Sequence, residues 1–338
     1  MELQTIAPLA TPPTPWEAAE LPYRLPRIPY LRLRVTLRAQ EAATLPSYKG
    51  SLLRGAFGHA LRTAVCALGP GQECGDCRLR RACPYPRLFE TGVEGEPPPF
   101  LRGLATAPRP YVFEPAGDER CFAPGDPLDF DLLLFGQAAT LDAYALLAVE
   151  RMAARGLGRD RFAFALERVR VSDGQGGFRD LVADGRTVPG AAAAPSFPRL
   201  DGLPPSRAVL RFLTPTRLQS NHQLVTAPGF RGLVFAMLRR TLEVAHFHVP
   251  GAAIDWTFRP LLDRASTVRT VASRLRWRDW ERYSNRQKTR MTLGGFVGEL
   301  EVEGDLTPFL PLLATAAVLH VGKCATFGLG RMEIGEPL

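Results

Sequence analysis

Residues 31–37 read LRLRVTL, and residues 47–62 read SYKGSLLRGAFGHALR. The first stretch alternates apolar and polar residues at period two, which predicts a strand buried on one face. Beyond it, Leu52, Leu53, Ala56, Phe57, Ala60, Leu61 and Ala64 recur at helical spacing, predicting a helix over about Lys49–Ala67 with one apolar stripe. Strand-like runs follow at Tyr111–Glu114 and Leu128–Phe135, then a helix over Leu141–Arg155 ending at Gly156, and a strand over Phe162–Val171. This β-α-β-β-α-β order, interrupted after its first helix by a Cys-rich insert (66–86), is that of the ferredoxin-like, or RRM-like, unit.

The same order recurs downstream. Ala208–Leu213 reads as a strand and Phe230–Phe247 as a helix; Arg274–Ser284 and Thr292–Val302 read as a hairpin-like pair, Pro308–Val321 as a helix, and Gly328–Ile334 as a last strand. The expectation is therefore an α+β protein of two tandem ferredoxin-like βαββαβ domains, at 28–172 and 206–338. A Gly- and Pro-containing linker at 173–205 joins them, and a Pro-rich arm occupies 1–27.

The 338 residues are 46% hydrophobic and 22% charged, enough apolar material for real cores, which excludes disorder as the main state. The longest largely apolar run, Phe309–Val321, is interrupted by Pro311, Thr315 and His320 and is too short to span a bilayer. With no secretory signal visible at the start, a cytoplasmic, membrane-free protein is expected. The net charge of +8 favours a polyanionic partner. Only Lys49, Lys288 and Lys323 are lysines among 42 basic residues, and each lies within one of the motifs below.

Four features carry chemistry. His59 falls outside the apolar stripe of its helix, so it need not be a core residue. Gly55 and Gly58 cost that helix about 1 kcal/mol each relative to Ala, which suggests a close approach on their face. Tyr48 and Lys49 nearby add a phenol and an amine, groups suited to proton transfer and to stabilising an oxyanion at a phosphate. Second, Cys66, Cys74, Cys77 and Cys83 follow the spacing C-x7-C-x2-C-x5-C. Four thiolates can fill a tetrahedral Zn site, leaving no open position for catalysis. The spacing does not match the usual iron–sulfur runs.

Third, Arg264, Arg269, Arg274, Arg276, Arg278, Arg282, Arg286, Lys288 and Arg290 face only Asp279 and Glu281, with Trp277, Trp280 and Tyr283 interleaved. Guanidinium groups bind phosphates in bidentate fashion and aromatic faces stack unpaired bases. Fourth, the Gly-rich loop GKCATFGLGR (322–331) can press backbone amides onto phosphates, although it lacks the order of a nucleotide P-loop.

LLRGAFGHALR (52–62), the Cys cluster with CPYPRLFE (83–90), the hairpin ending SNRQKTRMTLGGFVGE (284–299) and the loop GKCATFGLGR together resemble the RAMP superfamily. Within it they resemble the CRISPR-associated pre-crRNA-processing endoribonuclease family, in a branch with a cysteine-rich insert. The resemblance covers the chain from about Tyr30 onward. It implies metal-independent cleavage of CRISPR repeat RNA, in which the 2′-OH attacks the adjacent phosphate to leave a 2′,3′-cyclic phosphate and a 5′-OH. It implies His59 as general base, assisted by Tyr48 and Lys49. Arg54, Arg276, Arg278, Arg282, Arg286, Lys288, Arg290, Lys323 and Arg331 would bind the RNA. No cofactor is implied for catalysis, and Zn on Cys66, Cys74, Cys77 and Cys83 would be structural. Subunits of a CRISPR effector complex are further expected partners. The rival reading is a catalytically inactive RNA-binding subunit of such a complex, since fold does not fix function. A metal-using nuclease would need a carboxylate cluster, for which Asp126, Asp129 and Asp131 are the nearest approach.

Overall fold

The computed structural model describes residues 23–69, 73–93, 98–102, 104, 106–220, 222–284 and 289–337, without the side chains of 99 and 281–292. Most of the Pro-rich arm thus lies outside the described residues. The first half comprises β1 (Tyr30–Ala39), β2 (Ala43–Thr44), α1 (Gly50–Val65), α2 (Pro84–Leu88), β3 (Tyr111–Pro115), β4 (Cys121–Phe122), β5 (Pro127–Phe135), α3 (Asp142–Arg155), β6 (Phe164–Ser172), β7 (Phe178–Ala183) and β8 (Arg186–Thr187). As the period-two pattern predicts, Leu31, Leu33, Val35 and Leu37 of β1 are buried. They pack under Leu53, Phe57 and Leu61 of α1 and Ala145, Val149 and Met152 of α3.

The first sheet runs in the order β3, β5, β1, β6, β7, β8, every neighbour antiparallel. Its last two strands correct the expected linker at 173–205. Phe178 pairs with Ser172 and Val182 with Val169, so this stretch extends the sheet. The turn is closed by the Asp173 carboxylate, which accepts the N–H groups of Gln175 at 2.7 Å and Gly177 at 2.9 Å. Glycines that looked like linker composition here make a hairpin, as an Asx-type turn allows.

The polar face of β1 is occupied by cross-strand pairs. Arg34 Nε donates to Asp131 at 2.9 Å, and Thr36 donates to Asp129 at 2.6 Å. Of the three carboxylates considered for a metal site, Asp129 and Asp131 are therefore already engaged across the strands, opposite Thr36 and Arg34, and Asp126 accepts the Ala123 N–H at 2.7 Å.

The second half comprises β9 (Arg207–Thr216), β10 (Leu218–Ser220), β11 (Gln223–Val225), α4 (Phe230–His248), α5 (Arg259–Ala265), β12 (Arg269–Arg278), β13 (Glu281–Ser284), β14 (Thr289–Thr292), β15 (Gly295–Glu303), α6 (Leu310–Leu319) and β16 (Met332–Gly335). Its sheet runs β12, β15, β9, β16, again antiparallel throughout. Leu210, Phe212, Phe296 and Leu300 form a core with Leu233, Met237, Leu238, Leu312 and Leu313 from α4 and α6. Among the described residues no helix is long and apolar enough to cross a membrane.

The halves meet through a third apolar cluster. Val112, Leu133 and Phe135, from the first sheet, pack on Val244 and Ala245 of α4 and Leu319 of α6. This explains why α6 is apolar on nearly all sides: it is buried between two cores. His248, at the end of α4, reaches across the same boundary to the Pro108 carbonyl at 2.5 Å. Burial holds its pKa down to about 4. Because the folded value lies below the ordinary 6.5, the unfolded chain takes up the proton first as pH falls. Stability linked to His248 is then complete above pH 6.5 and is lost between pH 6.5 and about 4, by about 3 kcal/mol in all. Urea melts at pH 7 and pH 5 are expected to show a smaller loss for His248→Gln than for the parent.

Candidate functional site

His59 lies in the middle of α1 on its solvent side, and its imidazole is exposed. The neighbouring turns explain this placement. Phe57 and Leu61 point into the core, and Gly58 lies under the Phe89 ring, where a Cβ would collide. Gly55 faces open space, so one expected close approach is real and the other is not.

Three guanidinium groups lie near enough to place positive charge on the imidazole: Arg155 from the last turn of α3, Arg161 from the loop after it, and Arg62 one turn along α1. Desolvation, followed by these positive charges, lowers the His59 pKa below 6.5. The ring is therefore neutral at neutral pH, as a proton acceptor must be. Arg155 and Arg161 were missed in the sequence. Their signal was the basic, Gly-punctuated stretch ARGLGRDRF (154–162), but only the packing of α3 on α1 brings it to His59.

Tyr48 and Lys49 do not join this group. Lys49 precedes α1, ten residues before His59, and a helix rises about 15 Å over that span. Its side chain is fully buried, with Nζ donating to the Ser47 carbonyl at 3.4 Å and lying 5.8 Å from the Phe122 ring centroid. Tyr48 donates its hydroxyl to the Phe327 carbonyl and lays its ring on Trp280, with centroids 3.7 Å apart. Burial pushes its phenol far above the ordinary value of 10. Both residues thus shape the start of α1, and neither is placed to assist His59.

What they hold there is the Gly-rich loop. Ala325, Phe327, Gly328, Leu329 and Gly330 are buried, and the loop lies against β3 and the start of α1. Gly50 has no side chain because the Phe327 carbonyl occupies the space a Cβ would take. Gly328, at φ 87°, leaves room in the same way for the Phe113 carbonyl. This packing limits which of the loop's backbone amides are open to a phosphate. The N–H groups of Lys323, Phe327, Gly328, Gly330 and Arg331 all donate within the protein. The loop is the joint between the halves.

A buried ion network completes that joint. Glu114 of β3 receives Arg32 at 3.1 Å and lies 2.8 Å from His320 Nε2 and 3.8 Å from Arg331 Nε. The Nδ1 of His320 faces the Leu329 carbonyl oxygen at 3.0 Å. Arg331, expected on RNA, reaches the edge of this network with its side chain 35% exposed, and Glu333 lies 3.6 Å from its other end. Arg54 is partly buried, its guanidinium 5.3 Å from the Phe89 ring centroid and 5.1 Å from that of Phe327.

The basic hairpin is built as β12 and β13 against β14 and β15. Trp280 and Leu293 exchange backbone hydrogen bonds where the two ladders join. Arg276 and Arg278 are exposed, with Arg278 over the Trp280 ring at 5.3 Å, while Arg274 reaches Glu299 at 3.5 Å. Arg282 and Arg290 lie on β13 and β14, with their side chains outside the description; Arg286 and Lys288 lie outside the described residues. Lys323 is exposed and donates to Gln219. Cys66, Cys74, Cys77 and Cys83 line a single cavity beyond the end of α1.

Comparison with known proteins finds the following. Residues 27–193 match the N-terminal domain family AF_1859_N, and residues 210–332 match the family described as CRISPR-associated endoribonuclease Cas6. Among solved structures, the chain is similar to a Cas6 product complex at 18% identity and TM-score 0.54, covering 92% of this chain and all of the other. It is similar to Thermus thermophilus Cas6 at 16% identity and TM-score 0.51, covering 92% and 99%. It is also similar to a partial Cas6-RT-Cas1–Cas2 complex at 14% identity and TM-score 0.55, covering 94% of this chain and 47% of that one. At these identities the structural likeness establishes a shared fold. No curated protein matches the sequence.

Proposed function

This chain is of the Cas6 type, carrying the CRISPR-associated endoribonuclease domain at residues 210–332, and from that premise we infer that it cuts CRISPR repeat RNA in a precursor transcript at a site centred on His59. The observation that carries the site is an exposed imidazole on α1 whose pKa is lowered by burial and by the nearby positive charges of Arg155, Arg161 and Arg62. In this reading His59 accepts the proton of the 2′-OH as the 2′-oxygen bonds to phosphorus and the bond from phosphorus to the 5′-oxygen breaks. The guanidinium groups balance the charge that builds on the phosphoryl oxygens, the largest contribution a preorganised site makes. The products are a 2′,3′-cyclic phosphate and a 5′-OH, with the proton on the leaving oxygen supplied by water or by the protonated imidazole. None of these steps calls for a metal ion.

The exposed Arg276 and Arg278 beside Trp280 suit the flanking RNA, with guanidinium groups on phosphates and the indole as a stacking platform. Each half supplies a sheet in which the βαββαβ strands stand in the order 2-3-1-4, read as two ferredoxin-like units at about 28–187 and 206–338.

The test is incubation of the full chain with labelled cognate repeat RNA in EDTA, beside the same RNA carrying a 2′-deoxy nucleotide at the cut. Cleavage at one site, retained in EDTA and lost with the deoxy substrate, is the expected result. Tight binding with no cleavage of either RNA would overturn the enzyme reading in favour of an RNA-binding subunit.

A further inference from the structure

The cysteines serve none of the roles assigned so far, and their placement is specific. Cys66 is the residue that ends α1, and Cys83 is the residue that begins α2. Between them the chain coils back on itself: the N–H of Cys77 donates to the Cys74 carbonyl at 3.4 Å, that of Arg80 to Cys77 at 3.0 Å, and that of Cys83 to Leu79 at 2.9 Å. The result is that all four sulfur-bearing side chains line one cavity of about 200 Å³, walled otherwise largely by Val65, Leu68, Leu79, Tyr85 and Pro86. All four are free thiols and partly buried. Among the described residues no group of three or more Cys, His, Asp or Glu stands close enough to hold a metal ion, so the four thiols would have to close on one as it binds. Cys66, for example, donates its thiol to the Gly69 carbonyl at 3.3 Å.

Four thiols around an apolar cavity suit a soft or borderline metal. Carboxylate-preferring ions such as Mg²⁺ and Ca²⁺ find no oxygen ligand set here. We propose that Cys66, Cys74, Cys77 and Cys83 together bind one Zn²⁺ as four thiolates, each releasing its thiol proton on binding. The ion acts as a clip. It joins the end of α1 to the start of α2 across a stretch whose described residues form only turns and bends. Phe89, just beyond α2, rests on Gly58, so the clip also braces the back of the helix that carries His59. With every coordination position taken by protein, the metal is structural and takes no part in RNA cleavage.

The test is independent of cleavage. The full chain, expressed with zinc in the medium and purified under reducing conditions, is expected to hold about one Zn per molecule by elemental analysis. Replacing the metal with Co²⁺ is expected to give the intense visible bands of a tetrahedral tetrathiolate site. Cys77→Ser is expected to lose metal, while Cys121→Ser, at an exposed thiol away from the cavity, keeps it. Since Cys77→Ser can simply fail to fold, the cobalt spectrum of the unaltered chain decides. A wild-type protein that binds neither Zn²⁺ nor Co²⁺, one that carries iron and sulfide instead, or one whose Cys77→Ser, Cys83→Ser form keeps its full metal content overturns the proposal.

Discussion

Single-turnover cleavage of repeat RNA by the His59→Ala protein is expected to be slower than wild type by about 10²–10⁴-fold, the usual contribution of a positioned general base. RNA affinity is expected to stay within about twofold, because an uncharged imidazole contributes little to phosphate binding. The wild-type pH profile carries an independent check. Because desolvation and then Arg155, Arg161 and Arg62 lower the His59 pKa below 6.5, the base form persists at neutral pH, and the rate declines only on the acid side of 6.5. Removing Arg155 and Arg161 together removes two of those positive charges, so the acid limb of the double variant is expected to move to higher pH. Binding of the scissile phosphate weakens at the same time. A His59→Ala protein that cleaves at the parental rate would overturn the assignment.

Glu114→Ala is expected to destabilise the protein by about 3–5 kcal/mol, the cost of breaking a buried ion network from one side. Glu114 is 5% exposed and is shared among Arg32, His320 and Arg331, so its removal leaves the buried His320 without its carboxylate partner, beside two partly buried guanidinium groups. Burial alone would raise its pKa, but the hydrogen bond and charge of His320 and the charges of Arg32 and Arg331 hold it at about 2. The sign follows from that depression. Stability linked to this carboxylate is complete above the ordinary value of 4.5, and it is lost as pH falls from there toward 2. Urea melts of the variant and parent at pH 7 measure the expected loss, and a parental midpoint in Glu114→Ala would show that the network contributes nothing.

The two predictions draw on different parts of the chain's legibility. LRLRVTL at 31–37 announced β1 because alternation is a local property, and the stripe from Leu53 to Leu61 announced α1 for the same reason. His59 stood out as a polar residue beside that stripe and proved exposed. Tyr48 and Lys49 were read as its assistants because they are near in sequence. The helix axis instead carries His59 away from them, and the second half of the chain buries Tyr48. In the Gly-rich loop, composition suggested a phosphate cradle, whereas glycine here gives two backbones room to touch. The hairpin at 178–187 was hidden by glycines and an Asp whose turn chemistry is shared by linkers.

The amino-acid sequence by itself therefore determined the principal strands and helices of each half, their order and the helix that bears the imidazole. Each of these depends on contacts a few residues apart, which periodicity records. Only the tertiary structure decided that Arg155 and Arg161 bring positive charge near His59, that Glu114 meets His320 across 206 residues, and that the Gly-rich loop is a joint. Such pairings depend on how α3 settles on α1 and how the second half seats on the first sheet, and no local pattern along the chain encodes which distant side chains packing will bring together.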